Sequence, residues 1–274
     1  GGAGADTLNL TVTIADDENA SFTSSSIETI NLRSTGGTPD GNLIDIGFEN
    51  VTDLSLLKFR RLSDDIEIDN LQSLSTTIEI ENTATAADVT INFDAPTVTG
   101  SSDTVNVTLD NATGGGDLTI NNVETIAVTA IGEDNDLNID GSTGTTVTIA
   151  GSGELNADFD ASVLTVNAAS NSGGVTMVAS GAGDVTYTGG SGGDTFTMGT
   201  TLTADDTIVG GDGTDILGVT GAGGAVIPAS AAVTEVETVS ITTGGNDTID
   251  ANIISGLTTI SVTSANNVHQ ISAT

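Results

Sequence analysis

The sequence predicts an all-β fold of parallel β-solenoid or β-roll-like coils; β-sandwich domains joined to a short β-roll are the alternative. Three observations lead there. Apolar residues alternate in short runs along the whole chain. Turns rich in glycine and aspartate separate those runs. One pair of motifs returns at a nearly constant separation.

The alternation is clear in Thr7-Leu8-Asn9-Leu10-Thr11-Val12-Thr13-Ile14, Ile66-Glu67-Ile68, Ile78-Glu79-Ile80, Val89-Thr90-Ile91-Asn92-Phe93 and Thr146-Val147-Thr148-Ile149. An apolar residue at every second position buries one face of a strand. Gly, Asn, Asp and Ser between the runs are turn formers. Helix formers are scarce, and near-helical spacing of Val51, Leu54, Leu57 and Leu62 marks 48–62 as the one helix candidate. Residues 16–26 read as a loop or short turn. Coils of about 20 residues rising about 4.8 Å would stack into a rod roughly 65 Å long.

The recurring pair joins a Gly-Asp turn to a Val/Ile-Glu-Thr segment. Asp6 and Glu28 lie 22 positions apart, Asp215 and Glu237 also 22, and Asp103 and Glu124 21. This predicts three β units, 1–98, 99–209 and 210–274, the last cut short. The Val/Ile-Glu-Thr segment reads as a strand whose Glu faces solvent or a cation. Neither end carries an initiator Met or a signal segment, so both read as cuts through a longer protein. No apolar run approaches the roughly 20 residues that span a bilayer, which argues against membrane insertion.

Charge narrows the function. The chain has 38 Asp and Glu against 4 Lys and Arg, a formal net charge of −34. Four cations cannot neutralise a phosphate backbone, so a nucleic-acid partner is excluded. The absence of Cys removes disulfides, thiol catalysis and thiolate metal sites. One His cannot build a multi-histidine zinc site. A mean hydropathy of +0.12 is too high for an acidic disordered chain, so the protein folds and manages its own repulsion. Divalent cations are the obvious means.

The chemistry-bearing motif is Gly-Gly-x-Gly-x-Asp-x-(large apolar)-x, matched over 1–9, 189–197 and 210–218. Its glycines permit positive φ and let carbonyls turn toward a cation, and its Asp supplies a hard oxygen. Asp184, Asp194, Asp206 and Asp215 follow at separations of 10, 12 and 9, each two residues before Thr186, Phe196, Ile208 or Leu217. If turns stack on alternate edges, Asp194 and Asp215 share one edge and Asp184 and Asp206 the other. The expected Ca²⁺ ligands are Asp6, Asp103, Asp184, Gly189, Gly192, Asp194, Asp206, Gly210, Asp212, Gly213 and Asp215, centred on 180–218. The competing reading is that these are ordinary Gly-Asp turns joining strands.

Other clusters carry less. Asp134, Asp136, Asn138 and Asp140 alternate like a calcium loop, but Ile139 stands where the EF-hand needs Gly, so a solvated turn is expected. Lys58, Arg60 and Arg61 precede Asp64, Asp65, Glu67 and Asp69, and charge pairing across a turn is the structural reading. A docking surface for an acidic neighbour or a cell-surface polysaccharide is the functional one. His269 reads as exposed.

The nonapeptide resembles that of RTX calcium-binding proteins. Sparse nonapeptides, Val-Glu-Thr segments and long Thr/Ala/Val/Gly-rich strands together resemble the calcium-dependent surface-layer proteins of Gram-negative bacteria. The resemblance implies type I secretion, folding outside the cell, and calcium-driven homo-oligomeric assembly into a two-dimensional array. The alternative is a secreted RTX adhesin segment that binds glycans or ice; Thr11/Thr13 and Thr195/Thr197 suit an ice face, but no register of Thr pairs on every coil is apparent. An enzyme is not expected: neither a His-Glu-x-x-His helix nor a Gly-x-Ser-x-Gly elbow occurs.

Overall fold

The computed structural model describes residues 2–13, 18–35, 43–84, 86–142, 144–181, 183–221, 223–243, 246–264 and 270–272. His269 lies outside them. The chain winds into a right-through stack of about eleven coils, each contributing one strand to each of two long parallel sheets. Sheet 1 has 11 strands, from Thr7–Thr13 through Leu56–Arg60, Thr104–Asp110 and Thr186–Thr188 to Ala232–Thr234. Sheet 2 has 12, from Glu18–Ser21 through Asp65–Leu71, Asn138–Asp140 and Thr195–Gly199 to Thr259–Ser264. A third sheet pairs Gly224–Ala225, Asp247–Asp250 and Gln270–Ser272. Both long sheets run without interruption through residues 98–99 and 209–210.

The alternation sets the architecture. Inward residues stack in columns, as in Val105, Ile126, Val147, Val166, Tyr187, Ile208 and Val233. Both sheets turn these columns toward one continuous core. A strand pairing parallel at both edges satisfies its backbone groups on neighbouring coils, which lets so little sequence complexity hold a fold. Aromatic pairs fill wider places: Phe159 and Tyr187 meet edge-on at 6.0 Å, and Phe22 and Phe48 at 5.3 Å.

The motif separation is the coil length. Thr7 stands beside Thr29, Thr104 beside Thr125, and Ile216 beside Thr238. Some coils are longer: Thr29 pairs with Leu56, Ile78 with Val107, and Thr207 with Ala232. The extra residues of the second include the 3₁₀ turn Ala95–Thr97. Eleven coils at the strand spacing make a rod about 50 Å long, shorter than the 65 Å expected from uniform coils.

Two local expectations are corrected. Residues 48–62 form no helix: Leu56–Arg60 is a strand, and Asp53 (φ 67°) and Arg61 (φ 51°) take left-handed backbone that ends any helix. Val51, Leu54, Leu57 and Leu62 are all buried because solenoid corners face the core as strands do, and that mimics helical spacing. Within 16–26, Glu18–Ser21 is a strand paired with Leu43–Gly47.

Candidate metal centre

Two kinds of corner join the sheets. At the corner leading from sheet 1 into sheet 2 stand Asn135, Asn171, Asp194 and Asp215, each at most 1% exposed. All four tie the turn to neighbouring backbone. Asn135 accepts from the Ala112 amide and donates to the Ile131 and Glu154 carbonyls. Asn171 accepts from Gly173 and Gly174 and donates to the Gly153 carbonyl. Asp194 accepts from Val175 at 2.6 Å through Oδ1 and from Gly190 at 2.6 Å through Oδ2.

Asp215 does the same with half its carboxylate. Its Oδ1 accepts from the Asp194 amide at 2.8 Å, while its buried Oδ2 has no hydrogen-bond partner among the described residues. Burial, then the charges of Asp194, Glu237 and Asp212, push its carboxyl up to about 6, against one amide bond that lowers it. Burial likewise raises Asp194.

The glycines of the motif serve close approach. A Cβ on Gly210 would overlap the Glu235 carbonyl oxygen, and one on Gly189 the Gly210 oxygen. Gly211 (φ 101°) and Gly213 (φ 128°) hold backbone that L side chains avoid, with the Gly190 and Gly192 carbonyls directly beneath. A Cβ on Gly192 would overlap the Gly174 backbone nitrogen, and Asp212, exposed, donates its amide to the Gly190 carbonyl at 3.0 Å.

The opposite corner carries Asp6, Asp103, Asp184 and Asp206. Asp206 is buried and fully engaged, by Val185 at 2.8 Å and Thr203 at 2.6 Å. Asp184 is exposed and accepts from the Thr203 hydroxyl at 3.4 Å. Asp6 accepts from Gly2, and Asp103 from Gly100. Asp194 and Asp215 therefore stack on one edge, and Asp206 sits over Val185, beside Asp184, on the other. Asp6 and Asp103 precede sheet 1 strands, whereas Asp215 precedes a sheet 2 strand. The recurring turn is thus used at both corners.

The motif Glu has a definite task. Glu28, Glu124 and Glu237 each accept the amide of the Asp one coil back, at 2.7, 2.7 and 2.9 Å. A further member escaped the sequence: Asp247, 1% exposed, accepts from Gly223 at 2.8 Å through Oδ1 and leaves buried Oδ2 without a partner among the described residues. Its signal was Gly245-Asn246-Asp247-Thr248-Ile249, which keeps the third Gly, the Asp and the large apolar residue of the nonapeptide but has Thr242 and Thr243 in place of its first two glycines.

Among the described residues, no group of three or more His, Cys, Asp or Glu side chains is disposed to hold a metal ion. The donor set at 210–215 nevertheless suits a hard cation, since it offers an unpartnered buried carboxylate oxygen among carbonyl-rich glycine turns.

The remaining charges are sorted by face. Asp134 is exposed, and Asn138–Asp140 is a strand rather than a solvated turn, with Ile139 buried. The outward side of sheet 2 carries Asp45, Asp65, Glu67, Asp69, Asp117, Asp140 and Asp158 and no cation among its described residues. Burial, then Asp160, Asp117, Asp88 and Asp158, push Asp140 up to about 6. Lys58 and Arg60 lie outward on sheet 1, and they pair with Glu79 and Glu81 of the next coil, at 2.7–3.0 Å, rather than with Asp64–Asp69. Lys58 foremost holds the Glu81 carboxyl below its ordinary value.

Fold and corner chemistry together define a parallel β-solenoid with buried carboxylates at its turns. No protein-family model, curated protein or solved structure matches the chain. Among the described residues no helix is long and apolar enough to cross a membrane.

Proposed function

We propose that the chain is a calcium-dependent structural segment of a secreted RTX-type surface-layer protein, assembling with its own copies on the outside of the cell. One observation carries this reading. Asn135 and Asn171 tie their corners with neutral amides, so pinning a turn needs no charge. Asp215 nonetheless keeps a buried, unpartnered oxygen beside Asp194, Asp212 and Glu237. A bound cation gives that oxygen a partner and offsets the repulsion around it. Asp215, Asp194 and the carbonyls of the glycine turns would hold it; Asp184 and Asp206 at the opposite edge, and Asp6 and Asp103 in the earlier turns, would serve separate ions. Calcium that binds the folded chain alone stabilises it by linkage, which suits folding outside the cell, where calcium is abundant. Electron microscopy of the chain with and without calcium tests the assembly: ordered arrays are expected only with the ion, and dispersed particles in both conditions would refute it.

A second reading is favoured by a separate observation. Thr104, Thr125, Thr146, Thr165, Thr186 and Thr207 stand in one register column on six successive coils of sheet 1. Its members recur every 19 to 21 residues as single threonines, and only Thr146/Thr148 and Thr186/Thr188 extend into pairs. A flat, hydroxyl-lined, nearly uncharged face fits an adhesin that binds ice or glycan. Ice-recrystallisation inhibition lost on Thr146→Lys and Thr186→Lys would favour it over assembly.

A further inference from the structure

The four cations of this chain are Arg33, Lys58, Arg60 and Arg61, and all lie on or just after two adjacent strands of sheet 1, Thr29–Thr35 and Leu56–Arg60. Lys58 and Arg60 have carboxylate partners, whereas exposed Arg33 and Arg61 have none among the described residues. Arg33, Arg60 and Arg61 line a groove of about 200 Å³ with Asn9 and Asn31 on its floor. The Asn31 amide is turned to Asn9 Oδ1 at 2.7 Å, which orders that floor. Guanidinium forks around a polar groove suit carboxylates, which they bind with paired hydrogen bonds.

The complementary surface is on the same molecule. The outward side of sheet 2 presents Asp45, Asp65, Glu67 and Asp69 on the coils that carry the groove, and Asp117, Asp140 and Asp158 beyond them. Leu56–Arg60 and Asp65–Leu71 follow one another in sequence yet belong to opposite sheets, so groove and acidic face point away from each other. One molecule cannot join them. Two copies can, and because the surfaces differ the contact is heterologous and can be repeated from copy to copy.

We propose that the Arg33/Arg60/Arg61 groove of one copy docks on the acidic outward face of sheet 2 of a second copy. This rests on the self-assembly reading above and supplies its contact. Calcium reduces the general repulsion between copies, and the groove sets their direction.

The test is sedimentation velocity in calcium, with circular dichroism on every variant. The wild-type chain should associate, and added NaCl should weaken association because the contact is ionic. Arg33→Glu/Arg61→Glu should associate at least about tenfold more weakly with an unchanged spectrum. Asp45→Lys/Asp140→Lys should do the same, since both side chains lie outward on sheet 2 and neither accepts a hydrogen bond among the described residues. An equimolar mixture of the two folded variants should restore association. Undiminished association of the arginine variant, or no rescue on mixing, would overturn the groove contact while leaving self-assembly intact. A wild-type chain that stays monomeric in calcium overturns both, and its retention on polygalacturonate would assign the groove to an acidic polysaccharide instead.

Discussion

The backbone amide of Asp194 donates to the carboxylate of Asp215, 2.8 Å away and one coil further on. Asp194 in turn accepts from Val175 one coil back. Three successive coils are thus linked through two acids, and the two differ in one respect: Asp194 uses both oxygens, Asp215 only one.

That difference predicts opposite effects of one chemical change. Asp215→Asn keeps the acceptor for the Asp194 amide and removes a buried charge. In chelator its melting temperature should rise by about 3 °C or more, and its gain on adding calcium should shrink. Asp194→Asn turns an amide N–H toward that of Gly190 and should cost about 1–3 kcal/mol. Thermal melts with and without calcium check both.

The Glu of the recurring segment accepts the amide of the Asp one coil back. Glu237→Ala leaves the Asp215 amide without its 2.9 Å partner, an expected loss of about 1–3 kcal/mol in urea unfolding. Glu237→Gln keeps an acceptor and should lose less. Equal effects would show that the hydrogen bond contributes little.

Acid should stabilise the calcium-free chain. Asp140 and Asp215 have folded values of about 6, above the ordinary carboxylate value near 3.9, so between those limits the folded state binds more protons. Stability contributed this way is lost as pH rises from about 4 to about 6 and does not change further above that window. Melting temperatures in chelator should therefore fall from pH 4.5 to pH 7. Calcium should flatten the part due to Asp215.

Close stacking makes the motif glycine specific. Gly210→Ala sets a methyl group on the Glu235 carbonyl and should destabilise by about 3 kcal/mol or more. At Gly218 the nearest atom to an added Cβ is 3.7 Å away, so Gly218→Ala should be nearly silent. Urea midpoints of the pair separate backbone crowding from a general cost of replacing glycine.

The strands were legible because alternation is local: Ile78 and Ile80 announce their inward face without reference to any other coil. The coil length was legible where a marked pair recurs, as in Asp6 with Glu28. What Glu28 does was not, because an acceptor for a neighbouring coil's amide looks in sequence like any outward carboxylate. The threonine column recurs every 19 to 21 residues but without the Thr-x-Thr pairing that would mark a face in sequence, and Asp247 was hidden because Thr242 and Thr243 stand where the motif has its first two glycines. The helix expected at 48–62 failed because burial at a corner, as at Val51 and Leu54, follows the winding of the chain rather than a strand or helix period. Which carboxylates oppose one another, such as Asp117 and Asp158 around Asp140, depends on register and could not be read from order alone.

The most direct test of the account is a calcium titration from chelator to millimolar ion, followed at once by circular dichroism and by sedimentation. The account predicts a gain of β structure and melting temperature with calcium, reduced in Asp215→Asn, and growth in particle size at or above the same concentrations. A spectrum, melting temperature and particle size unchanged after exhaustive chelation would contradict it.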